Sequence, residues 1–499
     1  MPYLRILALT TLLLGLSAAT SAKSPKRGAC WDERNLPLGG QHATQLSPGV
    51  SWVYNWGPDA ANSTIFDENF RFEPMAWNGA YSAARIRAWL DAHPESRYLL
   101  GFNEPNFYDQ ARMTPAEAAA AWPALESIAA EYGVKLVAPA LNFSDSQVGG
   151  RVWNPYEWYD EFFRLYPQAR VDCLALHCYM NWYSANTWFA TEYFYTDLYT
   201  PGKDCYGRYP NLVKFLDTFK EANGHFPRMM LTEFCSWEND GTITGLDFQL
   251  DQMTQKVQKL EQSELVEGYA WFMANDANGA ALYPYMSLLQ RNSANSPLST
   301  LGTVYVHMSD FDTDRHYTPG EPIAAKDYVN ATTDERCIKL RPNTDAGTDT
   351  PLQLEIPAAG YAEYLIDVPA DGEYAFTFHV RADATGSLLL YIDNKKNATA
   401  TISATGGAWA DIALTATLNA GKHRIMPYNA GQTSVLMNAL SFAPAGEAGT
   451  ITVADIKDAE ISDIHDLGGH SPGTKELTSL TTGIYIVRLA DGTSAKIKI

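Results

Sequence analysis

Between residues 27 and 312, short apolar runs alternate with longer helix-like stretches. Eight runs read as strands: Arg27–Trp31, Val50–Trp56, Phe70–Met75, Tyr98–Asn103, Lys135–Leu141, Val171–Tyr179, Met229–Phe234 and Gly268–Met273. Between most of them lie predicted helices, among them Ser82–His93, Pro115–Tyr132 and Leu246–Gln262, with Leu298–Met308 closing the series. The second helix carries its own boundaries. Thr114 is the N-cap, Pro115 takes the first helical position, Glu117 completes a capping box, and Gly133 is the stop. Alternating strand–helix units imply a parallel sheet, and eight of them in this length imply a closed (β/α)8 barrel.

From about residue 318 the helical periodicity ends. Segments such as EYLIDVPADGEYAFTFHVRA, GSLLLYID and AWADIALTATLNAGKHRIMPYN read as antiparallel strands separated by turn residues, the pattern of a β-sandwich. AGEAG (445–449) is a linker, and the remaining residues end in a predicted hairpin around Ala490–Gly492. The expected organisation is therefore α/β: a leader over 1–22, a TIM barrel over 23–315, a β-sandwich module over 316–444, and a small all-β unit over 445–499.

The leader is predicted from Arg5, an apolar run over residues 6–16 and small residues before Ala22, the order of a secretory signal. That run is too short for a stable anchor, and no later stretch predicts a membrane span. A formal charge of −20 argues against nucleic acid or an anionic membrane as partner. Thirteen Trp and 28 Tyr supply flat faces of the kind that stack on sugar rings, although many must serve the core. Six cysteines in an exported chain permit disulfides, Cys178 with Cys205 being one option, and none has zinc-ligand spacing.

The candidate chemistry sits at strand ends. GFNEPN puts Glu104 after the fourth predicted strand, and MLTEF puts Glu233 at the end of the seventh. Either alone could be a strand-end or helix-terminus carboxylate with a structural partner. Together, on one barrel face, they are what glycosidic cleavage requires: one carboxyl to protonate the leaving oxygen, one to attack carbon or activate water. His177 and Tyr179, two apart on the sixth strand, share a face. The Tyr179 hydroxyl is expected to donate to Glu233 and His177 to bind a sugar hydroxyl. Trp271 would floor the sugar subsite or pack within the barrel. Asn55 and Trp56, ending the second strand, are further candidates for substrate contact. Residues 180–210, with Trp182, Tyr183, Phe194, Tyr195 and Tyr209 among their aromatics, are expected to wall the cleft.

The motifs KRGACW, VSWVYNWG, FEPMAW, LLGFNEPN, LVAPAL, VDCLALHCY, MLTEF and YAWFM resemble glycoside hydrolase family 128, over about residues 26–310. The resemblance implies a retaining β-1,3-glucanase on a (β/α)8 barrel. It makes Glu104 the acid/base, Glu233 the nucleophile and Asn103 the contact to the 2-hydroxyl of the reacting sugar. In the first strand, where members often carry an aromatic–Asn pair, this chain has Cys30-Trp31. Residues 322–444 resemble a family 6 carbohydrate-binding module through PIAAKDY, TGGAW and LNAGKHRI, with Trp409 at a position that often stacks on sugar. Lys326 replaces a Glu that often helps hold a structural calcium, and Leu436 replaces a ligand-binding Asn. No cofactor is therefore expected, and a calcium ion in this module is doubtful. DIHDLGGH, GIYIVRL and the KIKI ending resemble the sorting domain of the type IX secretion system. The resulting expectation is an exported monomeric endo-β-1,3-glucanase that meets laminarin-like glucan and the type IX machinery. The alternatives are a clan A glycosidase for another β-glycan, or a glycan-binding protein with an inactive barrel.

Overall fold

The structure is a computed structural model that describes residues 23–179, 190–236, 245–276, 286–333, 336–345, 350–445, 461–466, 470–473, 480, 484–489 and 494–498. The predicted leader and Trp182 lie outside the described residues.

Eight strands form one sheet: β1 (Arg27–Cys30), β2 (Trp52–Tyr54), β3 (Arg71–Phe72), β4 (Tyr98–Leu100), β5 (Lys135–Val137), β6 (Cys173–Cys178), β7 (Arg228–Phe234) and β8 (Val266–Trp271). They run parallel in the order β3-β2-β1-β8-β7-β6-β5-β4. A parallel bridge between Met75 and Leu100 joins the two ends, and Ala76 N donates to Leu100 O at 2.9 Å. The arrangement is consistent with a (β/α)8 barrel. Among the described residues an α-helix follows each strand except β2, and two follow β6: α1 (Gly40–Leu46), α2 (Ala83–Ala92), α3 (Pro115–Tyr132), α4 (Pro155–Leu165), α5 (Ala190–Tyr199), α6 (Pro210–Asn223), α7 (Leu246–Gln262) and α8 (Thr300–His307). In α3 the capping box closes as the sequence predicts, and Gly133 ends the helix in the left-handed region at φ 69°.

Strand alternation sorts the residues into two cores. Cys30, Trp52, Tyr54, Tyr98, Leu100, Val137, Cys173, Ala175, Met230 and Ala270 fill the barrel interior. Their neighbours Ala29, Val53, Leu99, Leu136, Leu174, Leu231, Tyr269 and Trp271 face the helices. Gly28 is required by this packing, because a Cβ there would fall 2.3 Å from the Trp52 ring.

The next region is built from two antiparallel sheets. One contains Ile323–Ala324, Lys339–Pro342, Leu352–Ile356, Gly372–Ala382, Ala410–Leu418 and Val435–Pro444. The other contains Asn330–Ala331, Ala362–Val368, Gly386–Ile392, Lys395–Ile402 and Gly421–Asn429. Leu352, Leu354 and Ile356 are buried while Gln353 and Glu355 between them are not, the alternation of a sheet with one covered face. Asp393 and Asn394, both at positive φ, make the two-residue hairpin turn that matches strand twist.

This region docks on α7. Gln258 Nε2 donates to Ala331 O at 3.0 Å, Gln262 Nε2 donates to Val329 O at 3.0 Å, and Arg341 pairs with Asp247 and Asp251. A three-stranded antiparallel sheet, Ile461–Asp466, Ile484–Leu489 and Ser494–Lys498, ends the described chain. No two of the six cysteines are joined in a disulfide, so Cys178 and Cys205 do not staple a loop. No described helix is long and apolar enough to cross a membrane.

Candidate active site

Glu233 reaches the barrel mouth because β7 carries one extra residue. Leu231 pairs with Leu176 on β6 and Glu233 with His177, and the same shift appears against β8. Simple alternation after the interior Met230 would put Thr232 inward and Glu233 among the helices. The extra residue turns Glu233 inward instead, opposite His177, as bulges beside active sites do. Glu104 arrives from β4 through a different distortion. Its φ is 44°, a left-handed conformation uncommon for a side chain with a Cβ, and its N–H donates to Ala140 O at 2.8 Å. Trp56, after β2, also lies there at φ 62°. Two strained residues at one mouth fit a site whose geometry takes precedence over local preference.

The carboxyls and an imidazole form a buried cluster. His177 Nδ1 lies 2.6 Å from Glu104 Oε1 and 3.3 Å from Glu233 Oε2, and its Nε2 lies 3.0 Å from Thr232 Oγ1. Ligand atoms of the three groups all fall within 4.8 Å of one another, a spacing that could also hold a metal ion. Glu233 is well supplied with donors: Tyr54 OH at 3.2 Å, Trp56 Nε1 at 2.7 Å, and the Tyr179 hydroxyl. Glu104 accepts from Asn142 Nδ2 at 2.8 Å. Burial lowers the His177 pKa, but the Glu233 and Glu104 charges and the Glu104 hydrogen bond outweigh it, and the pKa is raised. Glu233 is also raised: burial and the Glu104 charge push it up against the His177 charge and the bonds from Tyr179 and Trp56. Burial holds the Tyr179 and Tyr54 hydroxyls far above their ordinary range, so both remain donors.

The cluster opens into a cleft of about 1050 Å³ lined by Asn55, Trp56, Trp77, Asn103, Glu104, Phe107, Gln110, Asn142, Tyr179, Glu233 and Phe272, with Asp32, Glu33, Asp59 and Arg85 towards its rim. Here the structure separates the sequence candidates. Glu104, Glu233, Asn103, Trp56 and Tyr179 meet at its floor. His177 lies beneath them with both ring nitrogens engaged and its side chain fully buried, so it does not reach a sugar hydroxyl. Asn55 lines the cleft, but its amide is used in the turn, donating to Glu33 and Asp59 O and accepting from Gly57 N. Trp271 is not a sugar platform. It falls on the outward face of β8, fully buried, with Nε1 donating to Met286 O at 2.8 Å and its ring against Phe234 and Tyr305. Phe272, one residue on, takes the cleft position.

Phe194, Tyr195 and Tyr209 likewise belong to the core rather than to a cleft wall. Phe194 and Tyr209 both stack on Tyr156, and Tyr195 stacks on Phe226. Trp409 sits in the two-sheet region, half-buried. Its indole N–H donates to Asp345 at 2.6 Å, and its ring is stacked on His379. The sequence reading did not single out Tyr54, Trp77, Asn142, Phe272 or Gln110. Tyr54 was within reach, since it stands two residues before Trp56 in a predicted strand.

A pair of buried carboxyls under a long aromatic-lined cleft, at the C-terminal end of a parallel barrel, defines the glycoside-cleaving class of site. A family model described as "Glycosyl hydrolase catalytic core" matches residues 28–198 and 204–305. The match spans more than half of the chain, which therefore belongs to that family. Among solved structures, the chain is similar to a GH128 subgroup II endo-β-1,3-glucanase from Pseudomonas viridiflava, at 32% identity over 57% of this chain and 98% of that one, TM-score 0.42. It is also similar to a subgroup II enzyme from Sorangium cellulosum, at 27% identity over 56% and 97%, TM-score 0.41. A subgroup III curdlan-specific exo-β-1,3-glucanase from Blastomyces gilchristii stands at 21% identity over 57% and 100%, TM-score 0.38. Comparison with curated proteins gives no match.

Proposed function

We propose that the protein is a retaining endo-β-1,3-glucanase acting on laminarin-like glucan. The observation that carries the retaining assignment is the Glu104–Glu233 spacing. Their nearest oxygens lie within 4.8 Å, which favours the closely spaced carboxyls of a retaining enzyme over the wider pair of an inverting one. The β-1,3-glucan assignment rests on the motif resemblance, which is densest in GFNEPN, LHCY and MLTEF.

Glu104 donates its proton to the leaving glycosidic oxygen while the Glu233 carboxylate attacks the anomeric carbon. The C–O bond to the leaving sugar breaks as a glycosyl ester forms. Water then loses a proton to Glu104 and attacks the same carbon, releasing Glu233. Three donors on Glu233 favour its ionised form and set the angle of attack. His177 bridges the two carboxyls and accommodates the charge as it moves from Glu233 to Glu104 between the steps.

On the same reading, residues 1–22 direct export and residues 445–499 serve as a type IX sorting domain. The two-sheet region is then a carbohydrate-binding relative that requires no cofactor. Lys326 supports the last point, because its ammonium contacts Asp327 where a calcium ligand would be expected. The protein is taken to act as a monomer.

The test is hydrolysis of linear β-1,3-glucan followed by NMR. Early oligosaccharides released as the β anomer, and lost in Glu233→Gln, are the expected result. Release of the α anomer would overturn the double displacement, and no products would overturn the substrate.

A further inference from the structure

Asn103 stands directly before the acid/base, 2% exposed, and its Oδ1 is buried without a hydrogen-bond partner. Its Nδ2 is held: it donates to Gln110 Oε1 at 3.2 Å. Both residues line the cleft. Gln110 is brought back to Asn103 by the loop after β4. Phe107 N donates to Glu104 O at 2.9 Å, Gln110 N to Phe107 O at 3.3 Å, and Ala111 N to Asn103 O at 3.1 Å. The Asn103 backbone is fixed on its other side, where its N–H donates to Trp77 O at 2.9 Å. The loop therefore presents an acceptor to one end of the side-chain amide of a cleft-lining residue and leaves the other end without a partner. A primary amide can turn over and exchange donor for acceptor at little cost unless a neighbour fixes it. A buried acceptor with no partner is costly, and a substrate hydroxyl would satisfy it.

We propose that Gln110 is a positioning residue for the reaction. By accepting from Nδ2 it keeps Oδ1 of Asn103 aimed into the cleft as the acceptor for the 2-hydroxyl of the reacting sugar. The proposal rests on the function proposed above. Gln110 touches no reacting atom and acts through Asn103 alone.

The experiment uses the full chain and two substrates: an aryl β-1,3-linked glucobioside, and its counterpart lacking the 2-hydroxyl on the sugar that bears the aryl group. Gln110→Leu removes the acceptor. Gln110→Glu keeps an acceptor and removes the donor. The expected result is that Gln110→Leu lowers kcat/KM on the hydroxylated substrate about tenfold, the worth of one hydrogen bond strengthened in the transition state. Its rate on the 2-deoxy substrate stays unchanged, and Gln110→Glu behaves as wild type on both. An equal fall on both substrates would overturn the proposal and make Gln110 a structural residue. A Gln110→Glu variant as impaired as Gln110→Leu would also overturn it, since Gln110 would then be donating to Oδ1. If wild type cleaves neither substrate, the glucanase reading itself has failed, an outcome distinct from both.

Discussion

At the barrel mouth, Glu104, His177 and Glu233 are buried together and share their hydrogen bonds. In the two antiparallel sheets, the fully buried positions include Leu340, Leu354, Tyr364, Ile366, Phe376 and Phe378, and ion pairs such as Arg424–Glu363 and His423–Asp393 keep an exposed partner. The sheets follow the ordinary rule that charge stays wet. The mouth breaks it, and burying three ionisable groups there costs folding free energy that the surrounding barrel must supply. The contrast separates where the molecule does chemistry from where it stores stability, and substitutions can test the division.

The largest effect is expected from Glu233→Gln. Activity on β-1,3-glucan should fall about 10⁴-fold while thermal unfolding shows the variant more stable than wild type by about 1 kcal/mol, because a buried charge is gone. A fall in stability would contradict the view of the mouth as a costly site.

The two tryptophans give the next pair. Trp271→Phe should cost about 2–3 kcal/mol of stability through a small cavity and an unpaired Met286 carbonyl, with KM unchanged. Trp56→Phe should do the reverse. Loss of its N–H to Glu233 lowers kcat about 10–100-fold, with little change in melting temperature.

A pH effect follows from His177. Its folded pKa is raised above the ordinary 6.5, so the stability it contributes is complete below that value and is lost as pH rises through the folded pKa. Glu233, also raised, acts in the same direction from 4.5 upward. Wild type should therefore melt at lower temperature above neutrality than at mildly acid pH, and His177→Asn should flatten that slope. The smallest change is Gln258→Leu on α7, which leaves Ala331 O without its donor and should cost about 1–2 kcal/mol in a melt, with activity at 25 °C intact.

Periodicity made the barrel legible before the structure. Each predicted strand contains or overlaps an observed one, and the predicted Pro115–Tyr132 and Leu246–Gln262 match α3 and α7 residue for residue. The two glutamates were legible because strand ends in such a barrel converge on one face. The fate of Trp271 turned on phase. Alternation on β8 puts Tyr269 and Trp271 outward, and no composition argument supplies that phase. His177 was placed on the correct face but one layer too deep to meet substrate. The sequence reading put Glu233 at the mouth, but the extra residue that turns it there shows only in the pairing of β6 and β8 with β7. Gln110 was hidden for another reason: it reaches Asn103 through the fold-back of a loop, which has no period to read.

Helix α7 has one further consequence. On the side towards β7, Gln249 forms a two-way bond with the Ser236 backbone, and Lys256 donates to Ser236 Oγ and Cys235 O, directly behind the residue pair that carries Glu233. On the other side, Gln258, Gln262, Asp247 and Asp251 hold the two-sheet region. Appended domains are commonly pictured as beads on a string, exchangeable between proteins as cassettes. This helix has no idle face along which such an exchange could cut. A barrel excised from its neighbour would expose a stripe of glutamines and aspartates matched to partners it no longer has. The two units are therefore expected to pass through evolution, and through any engineering, as a single part.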